Sequence, residues 1–149
     1  MHKAIVWRAA KCWALPVELE NRQGDSLVAS SEANLEQRCD QAMELKNQGR
    51  YDEALTQFQA VLTCNPDHAR AHLGLGLVYC FIGLFDESLE ELKRAVECDP
   101  NWVDAHLNLA KTYAMLGMYE EAKVAFSQVL TLSPGHPEAK KQLAYFEKT

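Results

Sequence analysis

Between Leu35 and Pro66 the apolar and small positions are Ala42, Leu45, Ala54, Leu55, Phe58, Val61 and Leu62. Within each half of the segment they recur at the spacing of one helical face. Gly49 breaks the pattern midway, where a glycine can take φ > 0 and close a last helical turn without steric cost. Asp52 and Glu53 follow it, placing acids at the positive end of a new helix. Pro66 then stops that helix, because it cannot donate a backbone hydrogen bond. The pattern predicts helix, tight turn, helix.

The same unit returns at a fixed interval of 34 residues, carried by Gly49, Gly83 and Gly117 and by Pro66, Pro100 and Pro134. Small residues recur at Ala42, Gly76 and Ala110, letting the paired helices approach closely. Aromatic residues recur at Tyr51, Phe85 and Tyr119, and bulky apolar ones at Phe58, Leu92 and Phe126. Cys64 and Cys98 share a column with Leu132, where a cysteine serves as a small hydrophobe. A period of this length specifies an all-α helical solenoid. Such stacks build extended surfaces for holding another molecule.

Two segments stand outside the repeat. Pro137 suits a first helical position, and Ala139, Leu143 and Phe146 then recur at helical spacing. Residues 137–148 therefore read as a capping helix over the open face of the last unit. Residues 1–30 match no column. There Ile5, Val6, Ala9, Cys12 and Trp13 share one helical face, Lys3, Arg8 and Lys11 the other, and no acid precedes Glu18. That composition fits a mitochondrial transit peptide, a short local arm ending at Pro16, or the remnant of a larger protein. Gly24-Asp25-Ser26 reads as a turn, and Ser30 or Ser31 as the cap of the first repeat's helix, with Glu32 in its first turn. The division is thus an N-terminal arm, 1–30, disordered, targeting or groove-covering, and a domain, 31–149, with units of about 35–68, 69–102 and 103–136.

The middle unit carries Leu75-Gly76, Tyr79, Gly83, Phe85, Ser88, Leu92, Ala95 and Pro100. The last carries Leu109-Ala110, Tyr113, Gly117, Tyr119, Ala122, Phe126, Val129 and Pro134. In these positions the chain resembles the tetratricopeptide repeat family, over about Leu35 to His136 plus the closing helix. The first unit departs at Arg38 and Gln41, as a terminal repeat with one wetted face would. The expected fold is a right-handed α-solenoid of seven helices from about residue 31.

Charge narrows the partners. Residues 35–136 hold 15 acids against 8 bases, while residues 1–34 balance at 4 each. An acidic solenoid without a basic stripe argues against nucleic acid and against an anionic membrane surface. No stretch approaches the roughly 18 apolar residues of a membrane span. Five cysteines with no CxxC spacing point away from a disulfide framework or a zinc site. Free thiols suit a reducing compartment, so a cytoplasmic location is expected, or a mitochondrial one if the arm is a transit peptide.

No catalytic, metal or cofactor constellation stands out. His72 and His106 share one column, and His68 and His136 another, but a metal needs three or four converging ligands. They read as structural residues at helix starts. Cys39 and Cys80 lack the nearby base a nucleophile requires. The acid pairs Asp52-Glu53, Asp86-Glu87 and Glu120-Glu121 recur with the period, which marks helix-start electrostatics rather than acid–base chemistry.

The resemblance implies that the first helix of each unit lines a concave groove. Mapped through the repeat, that face holds Glu36, Cys39, Asp40, Met43, Lys46 and Asn47, then Arg70, Leu73, Gly74, Leu77, Cys80 and Phe81. The third unit adds Asp104, Leu107, Asn108, Lys111, Ala114 and Met115. Leu73, Leu77, Cys80 and Phe81, extended by Leu107 and Met115, form an expected apolar patch, and such patches mark binding sites unless the N-terminal arm covers them. Arg70, Asn108 and Lys111 are expected to orient a ligand there, beside Asp104. One subset of the family clamps the acidic C-termini of heat-shock chaperones with lysines, arginine and asparagines. Its positions here are Cys39, Met43, Gly74, Asp104 and Asn108, of which only Asn108 agrees. A carboxylate needs fixed cationic donors, so that role is not expected. The reading is a non-enzymatic module that binds a peptide or helix of a protein partner. The alternative is a self-associating scaffold subunit of a larger complex.

Overall fold

Each glycine turn has one construction. In a computed structural model describing residues 24–148, Gly49, Gly83 and Gly117 take φ of 78°, 85° and 75°. The amide of the following residue then reaches back to the preceding helix: Arg50 to the Leu45 carbonyl at 2.9 Å, Leu84 to Tyr79 at 2.8 Å, Met118 to Tyr113 at 2.9 Å. These bonds satisfy carbonyls that a helix end leaves open. The next helix starts with no side-chain cap at Arg50, Leu84 or Met118, and carries paired acids in its first turn instead.

The elements in order are α1 (Gly24–Asn47), α2 (Tyr51–Cys64), α3 (Ala69–Phe81), α4 (Phe85–Cys98), α5 (Val103–Met115), α6 (Tyr119–Leu132) and α7 (Pro137–Glu147). This is an all-α helical repeat solenoid. Helix α1 begins at Gly24, so the expected turn at Gly24-Asp25-Ser26 is helical, and Ser30 and Ser31 lie inside the helix rather than at its start. The reading of residues 1–23 lies outside the described residues.

Successive helices pack in antiparallel pairs, and three clusters of buried side chains run down the stack. Cys39, Ala42, Ala54, Phe58, Val61, Ala71, Leu75 and Val78 fill the first. Leu73, Leu89, Leu92, Ala95, Ala105 and Leu109 fill the second. Phe126, Val129, Ala139 and Phe146 belong to the third, where α7 covers the last unit. The small column works as expected. A Cβ on Gly76 would lie 2.7 Å from Leu92 Cγ, and Ser88 Oγ donates to the Gly76 carbonyl at 2.7 Å.

Candidate binding groove

The first helices of successive units touch one another, α1 with α3 and α3 with α5. Polar contacts run along the face they share. Arg70 on α3 donates from Nη1 to Glu36 Oε2 of α1 at 2.8 Å and from Nη2 to Asp40 Oδ1. Lys46 Nζ stands 5.3 Å over the Phe81 ring, which also stacks on Tyr51 at 6.1 Å. Farther along, Lys111 Nζ meets Glu138 Oε1 of α7 at 2.8 Å. Exposed ion pairs of this kind contribute about 0–1 kcal/mol each, so their effect is to fix side-chain positions.

The expected groove residues divide into three groups. Leu73 and Leu107 are only 6% and 8% exposed and belong to the core. This corrects the expectation of an open patch containing them: Leu73 is buried in the cluster with Leu89 and Leu92 of α4 and Ala105 of α5, and Leu107 in the cluster with Ala122 and Phe126 of α6 and Ala139 of α7. Leu77 and Cys80 are half-buried, and Leu77 packs on the cluster that holds Leu73, Leu89 and Leu92. Phe81 and Met115 are open, at 62% and 54%.

The polar members are mostly occupied. Arg70 and Lys111 are held in the ion pairs just described. Asn108 Nδ2 donates to the carbonyl of Asp104 at 2.8 Å. The Asp104 side chain is exposed and enters no ion pair among the described residues. Among those residues, no side-chain hydrogen bond or ion pair links α3 to α5. At that junction the face presents apolar atoms between polar ends.

One contact escaped the sequence. Cys39 Sγ lies 3.9 Å from His68 Nδ1, and His68 Nε2 lies 3.0 Å from Glu36 Oε1. The order of groups matches a thiol, a base and an orienting acid, but the thiol is unsuited to attack. Cys39 is fully buried. Burial first, and the charge of Glu36 second, push its pKa up to about 11, against the opposing pull of Arg70. His68 Nδ1 also accepts from the Ala71 amide at 3.2 Å, so its established role is the N-cap of α3. His136 caps α7 in the same way through Ala139. Among the described residues no group of three or more metal-binding side chains converges.

Cys39, Cys80 and Cys98 are free thiols. Cys64 is disulfide-bonded, which corrects the expectation that every cysteine is free. No helix among the described residues is long and apolar enough to cross a membrane.

Two family models match in tandem, both described as tetratricopeptide repeat, over residues 39–101 and 103–136. The chain belongs to the tetratricopeptide repeat family. No curated protein matches it significantly. Solved structures of the same fold do. The first TPR of Spaghetti (RPAP3), bound to the HSP90 peptide SRMEEVD, is 21% identical. It gives a TM-score of 0.72, with 76% of this chain and 90% of that chain covered. The Arabidopsis OM64 TPR domain is 18% identical, with a TM-score of 0.72 and coverage of 78% and 96%. The Yersinia enterocolitica type III secretion chaperone SycD, in complex with a peptide of the translocator YopD, is 21% identical. Its TM-score is 0.71 and its coverage 78% and 94%.

Proposed function

We propose that this repeat domain is a non-enzymatic interaction module that holds a segment of a protein partner along its first-helix face. The observation that carries the reading is the pair of exposed apolar side chains, Phe81 and Met115, on first helices whose cations Arg70 and Lys111 are already tied in ion pairs. Leu77 and Cys80 lie between polar ends on the same face. An apolar side chain of the partner seats against Leu77, Phe81 and Met115, and the uncompensated Asp104 favours a basic residue beside it. Fold neighbours caught with bound peptides support a peptide-sized ligand.

The ligand differs in chemistry from the acidic peptide on the first of those neighbours. Positions where a carboxylate clamp places cations and amides are here Cys39, Met43, Gly74 and Asp104, with Asn108 alone in agreement. Arg70, the nearest guanidinium, is already shared by Glu36 and Asp40.

The test is affinity capture with the wild type beside a Phe81→Glu/Met115→Glu double variant of matched helical content. Partners retained by the wild type and lost by the variant are expected. Identical partner sets would move recognition off this face. Mass that grows with concentration in light scattering, and is abolished by the same pair, would make the face a self-association surface instead.

A further inference from the structure

A polar pair joins the two helices of a unit at the same place each time, and in the third unit it is incomplete. In the first unit Arg38 Nη1 donates to Gln57 Oε1 at 3.2 Å. One period later His72 Nδ1 meets Glu91 Oε2 at 2.6 Å, while Nε2 donates to the Pro66 carbonyl at 2.8 Å. The corresponding residues of the third unit are His106 and Ala125. His106 keeps the bond from Nε2 to the Pro100 carbonyl, at 2.8 Å. Its Nδ1 has no hydrogen-bond partner among the described residues, although the side chain is only 8% exposed.

A cavity of about 580 Å³ stands where the missing partner would be. It opens between the second helices α4 and α6 and is floored by α5, with Val96, His106, Leu109, Tyr113, Val124 and Ala125 in its walls. The neighbouring substitutions point the same way. The charged residues Glu90, Glu91 and Arg94 stand at these positions in the second unit, and Val124, Ala125 and Gln128 replace them in the third. Charged residues have given way to an apolar recess with one imidazole nitrogen at its base. Glu120 and Glu121 border the recess where α6 begins.

We propose that this recess is a second binding site that receives a glutamate side chain of a protein partner, carried on an otherwise aliphatic segment. The pattern is the chain's own: the carboxylate would stand to His106 as Glu91 stands to His72. Aliphatic neighbours on the partner pack against half-buried Val96 and exposed Val124, whose apolar surface the recess leaves open. A basic residue on the same segment faces Glu121. A carboxylate drawn into low-dielectric surroundings requires a charged or hydrogen-bonding counterpart, and His106 Nδ1 stands at the base of the recess to supply it while Nε2 stays on the Pro100 carbonyl.

The site is read by nuclear magnetic resonance of the histidine rings in the full chain. The probes are an acetylated pentapeptide with one central glutamate among leucines and an arginine at its end, and its glutamine counterpart. The glutamate peptide is expected to shift the His106 ring signals saturably and leave those of His72 in place. The glutamine peptide should bind at least tenfold more weakly. Ala125→Glu rebuilds the second unit's pair inside the third and should abolish binding. Val124→Glu lies at a position 71% exposed, where the fold tolerates charge, and should weaken binding at least tenfold even if Ala125→Glu fails to fold. An unmoved His106, equal affinity for the two peptides, or wild-type affinity in either folded variant would overturn the proposal.

Discussion

The Phe58 ring occupies the space where a side chain on residue 74 would begin: a Cβ on Gly74 falls 2.2 Å from Phe58 Cζ. Phe58 is fully buried between α2 and α3, so the ring has nowhere to go. Gly74→Ala is therefore expected to destabilise by about 1–3 kcal/mol, the usual cost of overfilling a packed interior. Urea midpoints check this, and an unchanged midpoint would mean the ring relaxes freely.

Gly83 is needed for a different reason. Nothing lies within 4 Å of a Cβ placed there, yet its φ is +85°. Gly83→Val should cost more than ~1 kcal/mol through backbone strain alone. Gly135 has equally open surroundings without the positive φ, and Gly135→Ala should leave the melting temperature within about one degree, or raise it slightly by reducing unfolded-state entropy. Equal effects of the two changes would remove the conformational argument.

His72 gives stability a pH dependence. Burial, the largest single influence, disfavours its cation, but the Glu91 carboxylate and the Pro66 carbonyl together outweigh it and hold the pKa above the ordinary 6.5. A raised folded-state pKa means the contribution is fully present below about pH 6.5 and is lost as pH rises through the folded value. Glu91→Gln should cost about 1–2 kcal/mol at pH 6 and less at pH 9. Chemical denaturation at both values tests the sign, and a larger loss at pH 9 would reverse the assignment.

Cys39 should resist thiol reagents in the native state. It has no exposed surface, and a pKa of about 11 leaves very little of the reactive thiolate at pH 8. Cys80 and Cys98 are also shifted upward by burial, but both are half-buried and should react first. Mass spectrometry of partly labelled protein decides the order, and early labelling of Cys39 would show that α1 opens locally.

The period made much of this fold legible, because packing in a solenoid depends on neighbours one repeat away. The three positive-φ glycines and the Gly76 approach follow from columns, and the closing helix from the helical spacing after Pro137. The start of α1 did not, since Gly, Asp and Ser are favoured both in turns and at helix N-termini. The groove was legible as a face but not in depth: Leu73 and Leu107 are buried in the core clusters, whereas Phe81 and Met115, the last residues of their helices, stay open. Pairs such as Cys39 with His68 depend on interhelical register, which no single column contains. The contrast between Glu91 and Ala125 was visible in the letters. It acquired meaning only once His72 was seen to bond to Glu91.

Leu77 and Phe81 separate folding from recognition on the groove face. Both were expected to be free, but Leu77 packs on the cluster with Leu89 and Leu92, while Phe81 stays 62% exposed, stacked on Tyr51 beneath Lys46. Leu77→Glu therefore places a carboxylate against apolar neighbours and should cost about 1–3 kcal/mol of stability. Phe81→Glu exchanges the cation–π contact for an ion pair with Lys46 and should cost less than ~1 kcal/mol. For a partner seated on this face, Phe81→Glu removes an aromatic anchor and should weaken binding by roughly 2 kcal/mol or more. Thermal melts and titration calorimetry with a captured partner check the two effects separately. A Phe81→Glu protein that melts like the wild type and binds like the wild type would place recognition elsewhere on the solenoid. One that unfolds would make Phe81 part of the core rather than part of the surface.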